Sequence, residues 1–164
     1  MVNQSLVYSE YGKRMEKPAF ENVVLDAVES LRVLQFSCPA FQSNHTWHFH
    51  PQYELTLILK GEGRRFVGDS IEPFYPGDLV LIGPNVPHCW ISDGEARENE
   101  MFVLQFDPMF LGETFYSIPE AKGITALFKD SNKAVHFQDY PEEVKGLIDN
   151  IRDSEGLRRI AHLL

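Results

Sequence analysis

From Leu31 to Phe106 the chain repeats one pattern. The short apolar runs LRVLQF, ELTLILK, RRFVG, DLVLIG and MFVLQF alternate with turn signals: GEG at 61–63, GDS at 68–70, PGD at 76–78, GPN at 83–85 and SDGE at 92–95. Runs this short, rich in Leu, Val, Ile and Phe and closely spaced between Gly and Pro turns, predict the strands of an all-β sandwich or barrel. RRFVGDSIEPF reads as a hairpin turning at Gly68–Asp69. After Phe106 the period lengthens to that of a helix. Ser117-Ile-Pro-Glu120 has the form of a capping box with Pro in the first turn, and Ile124, Leu127 and Phe128 follow at helical spacing, predicting a helix over 117–130. A second helix is expected from Asp139-Tyr-Pro-Glu142, with Val144, Leu147, Ile148 and Ile151 along one face. SEGLRRIAHLL adds a third stripe of Leu157, Ile160, Ala161 and Leu164. Residues 1–30 are mixed and polar and are expected to form a partly ordered arm.

The chain has 164 residues, 43% apolar and 24% charged, which suits one globular domain with a sizeable core. No apolar run reaches the ~18 residues that span a bilayer, and the start lacks the basic and apolar pattern of a signal peptide. A cytoplasmic location is therefore expected. Cys38 and Cys89 are the only cysteines; with no CxxC and no disulfide framework, both read as reduced and partly buried. The formal charge of −9 argues against a surface that holds DNA or RNA, which needs clustered Lys and Arg. The third apolar stripe stops in mid-pattern at Leu164, and we expect the 164 residues to be part of a longer chain.

Chemistry concentrates in WHFHPQYELTLILKG, residues 47–61. On a strand, residues i and i+2 share a face, so His48 and His50 point one way, Trp47 and Phe49 the other, and Glu54 has the parity of the histidines. In NVPHCW, His88 and Trp90 share a face. Three imidazoles and a carboxylate from separate segments make a first shell for a divalent transition metal such as Zn, Fe, Mn, Ni or Cu. Buried polar groups need partners, and a polyhydroxylated ligand would serve as well as an ion.

HxH, three residues, Glu54, six residues and Gly61 resemble the core of the first cupin motif, with Gln42 where that motif has Gly. Gly77 followed eleven residues later by His88 resembles the second motif, with Gly83, Asn85 and Ser92 at its inner Pro, inner Gly and closing Asn. The stretch HFHPQYELTLILKGEGRRFVGDSIEPFYPGDLVLIGPNVPHCW is similar to the N-terminal cupin domain of AraC-type transcription regulators. FDPMFLGETF, the helix at 117–130, the KAVHF step and the terminal helices extend the likeness over residues 31–164.

The resemblance implies a mainly β fold: a cupin-type double-stranded β-helix barrel (jelly roll) followed by C-terminal α-helices. It implies three parts: an N-terminal arm at 1–30, the barrel at 31–107 and a helical segment at 108–164 that begins the linker to a DNA-binding domain. It further implies that His48, His50, Glu54 and His88 are metal ligands where a metal is bound. The domain would sense a small-molecule effector, often a sugar in that family, at these residues and Trp90, without catalysis. It would form a homodimer through its C-terminal helices and reach DNA only through helix-turn-helix units outside this chain. A metal-dependent cupin enzyme (a dioxygenase or sugar isomerase) and a carbohydrate-binding module are the alternatives.

Overall fold

The structure, a computed structural model, describes residues 17–25, 30–41, 47–93, 98–131 and 133–164. Among the described residues, ten strands make two five-stranded sheets. The first has the order β1 (Ala19–Phe20), β3 (His48–Phe49), β8 (His88–Ser92), β5 (Gly63–Val67), β6 (Ser70–Phe74). The second has the order β10 (Ala134–Phe137), β7 (Leu79–Ile82), β4 (Tyr53–Lys60), β9 (Asn99–Phe106), β2 (Leu31–Cys38). The strand alternation between sheets is that of a double-stranded β-helix. The runs in the sequence are its strands, and Val67 pairs with Ser70 across the two-residue turn at Gly68–Asp69.

The second sheet is buried on both faces, which is why β4, β7 and β9 read as nearly continuous apolar runs. One face carries Tyr53, Leu57, Leu79, Leu81, Phe102, Leu104 and Phe106, packed with Ile148 and Ile151 of the C-terminal helices. The other carries Ile58, Val80, Ile82, Met101 and Val103 and meets Phe74 and Trp90 of the first sheet. The second core fills much of the barrel interior, and the polar residues of the same parity mark the rest.

Buried Arg65 rivets the sheets together at one side. It donates to Pro73 O (3.2 Å), pairs with Glu72 (2.6 Å) on β6 and reaches Asp78 (3.3 Å) beside β7. His136 of β10 lies 3.0 Å from the same Asp78 oxygen. Burial pushes the Asp78 carboxyl above its ordinary value, against the pull of Arg65 and His136. Two glycines are required by space. A Cβ at Gly61, which has φ 100°, would run into Asn99, and one at Gly63 into the backbone of Ile91.

The C-terminal part departs from the sequence reading in three ways. Ser117 is not a cap: it ends α1 (Glu113–Ser117), its hydroxyl donating to Thr114 O, and a 3-10 turn at Pro119–Ala121 precedes α2 (Lys122–Asp130). Pro119 favours the break, since the residue before Pro is driven to extended backbone. Asp139 adopts φ 53° and lies outside the next helix, α3 (Glu143–Asp153), which packs beside α4 (Gly156–Leu163). The segment 108–164 is not purely helical, because β10 pairs along its length with β7. In the expected arm, Ala19–Phe20 forms β1; residues 1–16 and 26–29 lie outside the described residues, as does Gln42. Neither cysteine is in a disulfide. Among the described residues, no helix is long and apolar enough to cross a membrane.

Of the stripe predicted on α3, Ile148 and Ile151 are buried and Val144 packs partly against the core, whereas Leu147 is 43% exposed. Ile151 is thus core and not free for a partner. On α4, Ile160 is partly buried while Leu157 is 84% exposed.

Candidate ligand and metal site

Strand pairing brings the four predicted ligands together. His48 on β3 is the direct cross-strand partner of His88 on β8, and their rings are 4.3 Å apart. Glu54 faces them from β4 in the opposite sheet, and His50 lies between β3 and β4. One ligand atom from each of His48, His50, Glu54 and His88 can be chosen so that all lie within 4.8 Å of one another. Pro51 leaves the expected parity of Glu54 intact. Asn85, at a Gly position of the second motif, takes φ 61°, a conformation Asn tolerates better than most residues. Its N–H then donates to His50 O (2.7 Å) and ties the loop before His88 to the HxH segment.

Each group is held by a second layer. His88 Nδ1–H donates to Val86 O (2.8 Å), which leaves Nε2 facing Glu54. That Nε2 is 3.5 Å from Glu54 Oε1 and makes no hydrogen bond. His50 Nε2 is 3.0 Å from Glu54 Oε2, which also accepts from the Gln105 amide (2.9 Å), while Thr56 donates to Oε1 (3.0 Å). Burial opposes ionisation of Glu54, yet the nearby His88 and the hydrogen bond with His50 hold its carboxyl well below the usual carboxylate range.

Sequence reasoning missed three contributors. Gln105 sits directly opposite Glu54 in the β4–β9 register, and Arg32 directly opposite Gln105 in the β2–β9 register. Arg32 donates to the Gln105 oxygen (3.1 Å), which turns the amide N–H toward Glu54. The signal was present: a Gln on the face of Met101 and Val103 is a buried polar group in need of a partner. Glu21, just after β1, places Oε2 3.1 Å from His48 Nε2. It arrives through parallel pairing of β1 with β3, secured by Ala19 N–H to Trp47 O (3.1 Å) and Glu21 N–H to Phe49 O (2.9 Å). The hydrogen bond with His48 holds the Glu21 carboxyl below its ordinary value despite partial burial.

A cavity of about 620 Å3 opens onto this cluster. His48, Glu54 and Glu21 form its polar end, and Phe36, Phe41, Trp90, Met101 and Val103 are among its walls. Trp90 lines it with its ring 5.8 Å from that of His88. Trp47, half-buried, is not among the lining residues, as its parity predicts.

Comparison with known proteins agrees with this architecture. A gentisate 1,2-dioxygenase from Haloferax sp is 28% identical over 87 residues, 53% of this chain and 24% of that protein. The chain thus spans about a quarter of the length of this curated relative. Two crystal structures of ToxT from Vibrio cholerae, one bound to (E)-4-(8-methylnaphthalen-1-yl)but-3-enoic acid, share the fold. They have TM-scores of 0.56 and 0.57 at 12% identity, over 82% of this chain and 53% of theirs. The AraC-like ligand binding domain family matches residues 38–164, which hold the four clustered side chains, most of the cavity wall and the C-terminal helices. The chain belongs to the AraC-like ligand binding domain family.

Proposed function

We propose that this domain is the sensing part of an AraC-type transcription regulator that works in the cytoplasm and binds its effector in the barrel lumen. The observation that carries the reading is the convergence of His48, His50, Glu54 and His88 beside a cavity of about 620 Å3, which His48 and Glu54 line. That volume lies within the usual range for small-molecule sites. The effector would meet these four residues and lie against Trp90. Binding would favour one arrangement of the arm or of α3 and α4, and so alter how DNA-binding helices elsewhere in the whole protein are presented. An effector with equal affinity for both arrangements would shift nothing. A chimera tests this: the chain fused ahead of a heterologous DNA-binding domain that acts only as a dimer should give reporter output that changes with effector. His48→Ala should abolish the change, and output that ignores His48 would overturn the reading.

The four side chains also fit a divalent transition ion. They offer three imidazoles and an ionised carboxylate, and His88 presents an Nε2 that makes no hydrogen bond. Bound there, an ion would supply a Lewis-acidic centre for an oxygen-bearing ligand. Elemental analysis after reconstitution is expected to find one Zn, Ni, Fe, Mn or Cu per chain, and His48→Ala to lose it. Absence of stoichiometric metal in the unmodified protein would remove the ion from the proposal and leave the sensing role.

The similarity to a gentisate 1,2-dioxygenase favours a second reading, a metal-dependent cupin enzyme. Turnover of an aromatic substrate with Fe(II) and oxygen would establish it.

A further inference from the structure

We propose that the effector is an aromatic molecule and not a sugar. The proposal rests on the lumen being the sensing site. The body of the ligand follows from the walls. Phe36, Phe41, Trp90, Met101 and Val103 offer the cavity carbon surface and aromatic faces. A sugar carries a hydroxyl on nearly every ring carbon, and each one buried without a partner opposes binding. A flat apolar ring instead matches these walls, by stacking or edge contact with aromatic neighbours.

The lips of the cavity point the same way. Phe20 is 61% exposed and Phe36 is 47% exposed, and both line the opening. They come from β1 and β2, the edge strands of the two sheets. A ring entering between them would cover apolar surface that otherwise faces water.

The polar end has little to offer a polyhydroxylated guest, because its groups are already paired. Glu54 accepts from Thr56 and Gln105 and lies 3.0 Å from His50 Nε2, while Glu21 pairs with His48 and lies 3.9 Å from Arg32. A ligand with a mostly carbon surface needs few partners there.

The test uses the whole chain with a chelator present, so that no ion reaches the polar end. Thermal shift and tryptophan fluorescence are followed against 1-naphthol, tryptamine, 1-naphthoate, D-glucose and L-arabinose. At least one of the three aromatic probes is expected to bind saturably, and Phe36→Ala, at a half-exposed position, to weaken binding about tenfold with the fold unchanged by circular dichroism. Binding of the sugars alone overturns the whole ligand class but leaves the sensing role standing. Aromatic binding that is undiminished by Phe36→Ala lies outside the lumen and overturns the proposal. No binding by any of the five overturns it and also counts against the lumen as a sensing site.

Discussion

Glu54 is a buried carboxylate held by residues outside the four proposed ligands. Gln105 presents its amide to Glu54 because Arg32 holds its oxygen, a polar row across three strands of the second sheet. Gln105→Leu keeps the volume and all four proposed metal ligands but removes this donor. Zinc affinity, measured by competition with a chromophoric chelator, is expected to fall about ten- to a hundredfold, as for other outer-layer partners of metal ligands. Unchanged affinity would mean that Gln105 plays no part in presenting Glu54. At this scale the sequence was legible where strand parity or a known spacing applied. His48, His50, Glu54, His88 and Trp90 stand where they were expected. Gln105 mattered only through a register with a strand some fifty positions away. Glu21 arrives through a two-residue strand, too short to leave a periodic signature.

Among the elements, the strands were readable because burial on one or both faces writes itself into composition. The helical part was less so. The Ser117 box matched a capping pattern, yet Pro119 split the segment, and the local rule lost to the backbone restriction before proline. Strand β10 was hidden because a four-residue run, AVHF, sits between helices. Its His136 is tied to Asp78 and so joins the rivet formed by Arg65. Arg65→Ala is expected to cost about 3–5 kcal/mol, because it leaves the buried Asp78 carboxylate without its main counter-charge. Chemical denaturation of the purified variant measures this. A loss below ~1 kcal/mol, the range of an exposed ion pair, would mean that the cluster is solvated and not structural.

For the whole molecule, self-association is the open element of the regulator reading, and the structure narrows where it could occur. Ile148 and Ile151 are spent on the domain's own core, so charged substitutions there should unfold the chain. Leu157 is 84% exposed on α4, with half-exposed Leu164 a further candidate contact. We expect a dimer through α4, and Leu157→Glu to give a folded monomer in sedimentation with stability unchanged within ~0.5 kcal/mol. A monomeric unmodified domain at high micromolar concentration would sink the proposed interface.

The double-sided burial of the second sheet has a mechanical consequence. Val103 touches the lumen and Phe102, its neighbour in sequence, touches the core shared with Ile148. Ile58 and Leu57 divide in the same way between the inner and outer cores. A slip of one residue along any of these strands would turn apolar side chains to the wrong face, so the sheet cannot respond to a guest by sliding. It can only flex, as a diaphragm does, and its stiffness sets how much of a displacement on one side reaches the other. In the proposed sensing role, stimulus and response would be one sheet's thickness apart, and the gain would depend on the packing of Phe102 and Leu57 against α3.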